Sequence, residues 1–70
     1  MTEPTTRALI GRSELIEAEF SYSPYDGAPF CFAEMVDDEV IAVSGFNTLD
    51  AAITAARVYG FTPKEIEYFT

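Results

Sequence analysis

The sequence predicts an α+β domain, a small antiparallel sheet with one helix packed on a face, in the order β-β-β-α-β. Three observations carry that expectation. Apolar residues recur every second position in several short runs, as in strands with one buried face. One run near the C-terminus switches to helical spacing. Glycine, proline and aspartate cluster between the runs, where the chain must turn. Residues 13–70 are expected to form this one domain. Residues 1–12 are expected to be a flexible or weakly structured N-terminal segment, opening on the Thr-rich, Pro-containing stretch Met1–Thr6. Within it Ala8-Leu9-Ile10 is apolar but short and is followed by Gly11, so a strand start and a helical turn both fit.

In the first predicted strand, Ile16, Ala18, Phe20 and Tyr22 alternate with Glu17, Glu19 and Ser21. Ser23-Pro24-Tyr25-Asp26-Gly27 then supplies turn chemistry. The second, Phe30 to Val36, places Phe30, Phe32 and Glu34 on one face and Cys31, Ala33 and Met35 on the other. Both faces are largely apolar, which suits a central strand or one that also meets a partner. Asp37-Asp38 separates it from Val40–Val43, and the pair reads as a hairpin, although Asp-Asp is a poorer turn than Asn-Gly.

Leu49, Ala52, Ile53 and Ala56 then stand at i, i+3, i+4 and i+7, predicting a helix. Asn47 is a fitting N-cap, Gly60 fits the left-handed C′ position, and Phe61 can supply the apolar contact after it. Thr62-Pro63-Lys64-Glu65 suits a capping box or a type I turn. A final strand, Ile66–Phe69, is the favoured continuation.

Composition narrows function. The 70 residues hold 12 carboxylates, four cations and no histidine, a formal net charge of −8. With 49% apolar and 14% aromatic residues the chain is a folding sequence rather than a disordered acidic tail. Phosphate recognition needs clustered Lys and Arg, so direct nucleic-acid and anionic-membrane binding are disfavoured. Cys31 is the only cysteine, so no internal disulfide is available, and its apolar neighbours suit a buried thiol. No cofactor, metal or catalytic site is expected. Zinc would lack its usual ligands, no serine has a histidine to act as its base, and the four glycines form no phosphate loop. Asp37, Asp38 and Glu39 could offer oxygen ligands to a hard cation, but their spacing is that of a solvated turn rather than a calcium loop. Neither a signal peptide nor a spanning segment is visible, and a cytoplasmic location is expected.

The charge distribution stands above background. Between Ser13 and Ala56 the carboxylates are Glu14, Glu17, Glu19, Asp26, Glu34, Asp37, Asp38, Glu39 and Asp50, and no cation interrupts them. On a strand, Glu17 and Glu19 would share a face, with Glu34 across from them if register allows. Like charges held close cost stability, so the field suits either solubility or contact with a cationic surface. The expected partner-binding residues are therefore Glu17, Glu19, Asp26, Glu34, Asp37, Asp38 and Glu39, with Tyr22 and Tyr25 as interface anchors.

Two resemblances bear on this. Val40–Ala52, with its Thr48-Leu49-x-x-Ala52 helix opening, resembles the strand-to-helix junction of HicB-type antitoxins. That resemblance implies a three-stranded sheet ahead of the helix and a regulatory role. The acidic, single-domain profile resembles small phage-encoded inhibitors, among them anti-CRISPR proteins and inhibitors of bacterial RNA polymerase. It implies a non-enzymatic module that occupies a basic, nucleic-acid-holding surface of a host protein. The alternative is a structural or regulatory subunit acting as a homodimer or larger homo-oligomer.

Overall fold

A computed structural model describes residues 5–24 and 26–70. The order of elements is β1 (Thr6–Arg12), α1 (Ser13–Phe20), β2 (Phe30–Val36), β3 (Glu39–Phe46), α2 (Leu49–Val58), a 3₁₀ turn (Pro63–Glu65) and β4 (Ile66–Phe69). The α+β class is as expected, but the finer order is not. The four strands lie β3-β2-β1-β4, and the sheet is mixed. Strands β1, β2 and β3 pair antiparallel, whereas β4 runs parallel to β1, with Ala8 beside Ile66 and Gly11 beside Phe69. A helical crossover returns the chain to the end where β3 began, so the strand after α2 must run in the direction of β3 and β1.

Two corrections follow. Thr6–Arg12, expected to lack firm structure, is an inner strand, and Ala8, Leu9 and Ile10 are fully buried. Their unbroken apolar run marks a strand buried on both faces, where alternation is not needed. The segment expected as the first strand is instead α1. Its inward stripe is Ser13, Ile16 and Phe20, at i, i+3 and i+7, while Glu17, Ala18 and Glu19 are exposed. Glu, Leu and Ala favour a helix, and burial of that stripe decides the outcome.

The helices cover opposite faces. Beneath α2, Ala8, Ile10 and Phe32 pack on Ala52 and Ala56, ringed by Phe46, Leu49, Ile53, Phe61 and Ile66. Beneath α1, Leu9, Cys31, Ala33 and Met35 pack on Ile16, ringed by Phe20, Val40, Val43 and Phe69. Cys31, Phe32, Ala33 and Met35, from both faces of β2, are thus in the core, as its central reading requires.

Local signals at α2 hold with one shift. The N-cap is Thr48 rather than Asn47, its hydroxyl accepting from the Ala51 N–H at 3.1 Å. Gly60, at φ 101°, takes the C′ place: its N–H bonds Arg57 O at 2.9 Å and that of Phe61 bonds Ala56 O at 3.1 Å. Those two bonds are a Schellman closure, and Phe61 packs against the same core as Ala56. The capping box at Thr62 and Glu65 also forms, and the strand follows it, so both readings of that segment were compatible. The Thr62 N–H and hydroxyl hold the Glu65 carboxyl below its ordinary pKa.

The β2–β3 hairpin turns on Asp37 and Asp38, both at positive φ, 50° and 68°. Primed two-residue turns require this and favour glycine at the second position. Asp37 is held by Thr5: its N–H bonds Thr5 O at 2.9 Å and its Oδ1 accepts from the Thr5 N–H at 3.0 Å. Asp38 has only a long, exposed contact to Arg7 at 3.9 Å, which contributes little. Relief of backbone strain therefore outweighs loss of that pair. Asp38→Gly is expected to stabilise the domain by about 0.5–1 kcal/mol. Thermal melting should show this as a rise of a few degrees, and an unchanged or lower Tm would reject the turn geometry.

Candidate functional site

The acidic hairpin does not stand alone. Strand β1 ends at Arg12, and α1 turns back over the sheet from there, carrying its C-terminal end toward the β2–β3 turn. Ser21 closes the helix at φ 63°, its N–H bonding Glu17 O at 2.8 Å. Phe20, Tyr22, Asp38, Glu39 and Val40 then line one open cleft of about 360 Å³. Phe20 is anchored beneath by an edge-to-face contact with Phe69, ring centroids 5.7 Å apart. Tyr22 is half exposed. The cleft thus has an aromatic floor and wall with carboxylates on its rim, a chemistry suited to a cation, above all a guanidinium.

The other expected residues are dispersed. Glu17 and Glu19 sit on exposed parts of α1, two residues and so about 200° apart around the helix, and do not share a face. Glu17 lines a second cleft of about 380 Å³ with Arg12, Glu14, Pro24 and Phe30, where Arg12 and Glu14 are ion-paired. Asp26 caps its own loop, Oδ1 accepting from the Ala28 N–H at 3.1 Å, and lies over Gly45 of β3. Glu34 is on the opposite, α2 face, beside Ala8 and Ala42. It therefore does not face Glu17 and Glu19. Asp37 is occupied by Thr5. Tyr25, the second expected anchor, lies outside the described residues.

Sequence reasoning missed Phe20, Val40 and Arg7. Arg7 bonds Glu67 on β4 at 3.2 Å and reaches Asp38 at the cleft only at 3.9 Å. Only the strand register brings Arg7 and Glu67 together, and no local pattern reveals that. Phe20 carried a signal in its i, i+4 spacing from Ile16. Among the described residues, no cation lies within ion-pair distance of Glu17, Glu19, Asp26, Glu34, Asp37 or Glu39.

Cys31 is buried beneath α1, and burial pushes its thiol pKa up, partly offset by the Ser13 hydroxyl. Ser13 is itself committed, donating to Ala28 O at 2.6 Å. Among the described residues, no group of three His, Cys, Asp or Glu is placed to hold a metal ion, and no helix is long and apolar enough to cross a membrane. No family model, curated protein or solved structure matches the chain.

Proposed function

We propose that this protein is a non-enzymatic binding module that docks on a basic, nucleic-acid-holding surface of a partner protein, in the manner of small phage-encoded inhibitors. The observation that carries this reading is the joining of Tyr22 with Asp38 and Glu39 around one open cleft. A tyrosine gives area at low entropic cost, and adjoining carboxylates give charge complementarity to Arg or Lys. The remaining acidic surface, with Glu17, Glu19 and Asp26 lacking ion-pair partners among the described residues, adds long-range steering. The hairpin rather than an acidic sheet face is the centre of this reading.

The test is capture from a host lysate on the immobilised protein at low and at high salt. A captured nucleic-acid-handling protein should be held near 50 mM salt and released near 500 mM, roughly the range over which surface charge is screened. The Asp38→Lys and Glu39→Lys double variant should bind that partner at least ~10-fold more weakly, on the scale of a lost charged hot spot. Tyr22→Ala should weaken it without altering the salt slope. Salt-independent capture, or full affinity in the double variant, rejects the reading.

A further inference from the structure

Strand β3 is an edge of the sheet, and at eight residues it is the longest strand in the fold. Natural edges are blunted by lysine, proline, shortness or bulges. The opposite edge, β4, has four residues and carries the Glu67 that pairs with Arg7. Strand β3, Glu39-Val40-Ile41-Ala42-Val43-Ser44-Gly45-Phe46, has neither lysine nor proline. It carries a bulge: Glu34 faces Ala42 and Met35 faces Val40, leaving Ile41 without a partner and 57% exposed. From Ala42 to Phe46 the ladder is regular; Pro24, Asp26 and Ala28 lie over its face at Gly45, and among the described residues no strand pairs its outer edge.

Carboxylates flank that stretch on both faces. On the α2 face Glu34 lies directly across from Ala42, whose methyl group leaves the way over it open. A strand added outside β3 would lie two strand spacings, roughly 10 Å, from Glu34. An arginine or lysine opposite Ala42 spans that distance together with the glutamate side chain. On the α1 face Asp26 Oδ1 sits where it would come within 2.5 Å of a Cβ on Gly45. Glu39 stands at the start of the strand, next to the cleft.

The geometry points to β3 as a strand-addition site for an extended basic segment of the partner, its backbone pairing with Ala42–Phe46 and its Lys or Arg side chains meeting Glu34 and Asp26. This rests on the binding reading above and names what the partner offers. A second copy of the chain is the poorer occupant, because pairing β3 with itself would bring these carboxylates together on chains each carrying −8.

The probe is a capped octapeptide repeating Lys-Lys-Val-Val, so that as a strand it carries Lys on both faces, added to isotopically labelled protein at low salt and followed by amide hydrogen exchange. A capped Lys-Pro alternating peptide of equal charge, N-methylated at each Lys backbone nitrogen so that none of its residues donates a backbone hydrogen bond, is the control. The outward-facing amides between Ala42 and Phe46 should exchange at least ~10-fold more slowly with Lys-Val and not with Lys-Pro. Ala42→Lys and, separately, Ser44→Lys should abolish that protection while leaving Tm within a few degrees. Equal binding of both peptides without protection overturns strand addition but leaves electrostatic docking intact. Protection of the same amides without peptide, with a dimer by sedimentation, overturns it in favour of a second copy. Binding of neither peptide overturns it, while salt-sensitive capture of a partner judges the docking reading independently.

Discussion

Gly11→Ala is expected to be the most damaging single-methyl change in the chain. A Cβ at residue 11 would lie 2.0 Å from the Phe69 carbonyl oxygen and 2.6 Å from its carbonyl carbon. Those are backbone atoms, so no side-chain rotation relieves the overlap. Strand β4 pairs alongside β1 only because residue 11 has no side chain on that side. Either β1 and β4 separate locally or the end of β4 is expelled, taking Phe69 from Phe20 and loosening the floor of the cleft. Overpacking commonly costs 1–3 kcal/mol, and a backbone collision belongs at or beyond the upper end, about 3 kcal/mol or more. A domain of this size holds roughly 4–10 kcal/mol in all. Denaturant unfolding should show a large fall in midpoint, with β4 amides the first to lose exchange protection. A midpoint close to that of the unsubstituted protein would reject the β1–β4 pairing.

That pairing was beyond reach of local patterns, and the reason is instructive. Elements whose signals are local were legible: the Leu49–Ala56 stripe, the Gly60–Phe61 closure, the aromatic run of β2 and the Asp37–Asp38 hairpin all formed. One element had a signal that admits two periods. Ile16 and Phe20 satisfy both i, i+2, i+4 alternation and i, i+4 helical spacing. Ala18, which alternation buries and a helix exposes, is too small to arbitrate by hydrophobicity alone. Burial was decided by the long-range packing of Ile16 against Leu9 and Cys31. At β1 a strand start and a helical turn stayed equally open, since a strand covered on both faces has no polar alternation to display and Ala8-Leu9-Ile10 lacks the length and aromatic content that marked β2. Of the candidate site, Tyr22, Asp38 and Glu39 were legible as chemistry, but their meeting depends on α1 being a helix that turns back over the sheet. A strand in its place would have carried Tyr22 elsewhere and put Glu17 and Glu19 side by side.

Ile16→Ala is expected to free α1 from the sheet, with Cys31 reporting the release. Eight residues are too few for a helix to persist alone in water, so α1 depends on what it buries. Ile16 is its only fully buried apolar side chain, and Phe20 is half-buried. Arg12 supplies no side-chain N-cap bond to compensate. Truncation of a buried isoleucine to alanine costs about 3 kcal/mol here. If α1 opens as a unit, that converts to more than ~100-fold in the population of the open state. Cys31 lies in the cluster that Ile16 closes, and burial both hides its thiol and raises its pKa. Opening removes both restraints, because the reactive species is the thiolate. Labelling by an aromatic disulfide under native conditions should therefore accelerate by about two orders of magnitude, while β1–β2 amides keep their protection. Unchanged labelling would mean that Ile16 does not hold the helix down. Acceleration with matching loss of β1–β2 protection would mean that α1 and the sheet unfold together. In that case the cleft could not be dismantled without losing the fold. With the sheet retained, the same variant separates the two contributions to docking: the hairpin carboxylates stay in place, and the Phe20–Tyr22 wall is withdrawn.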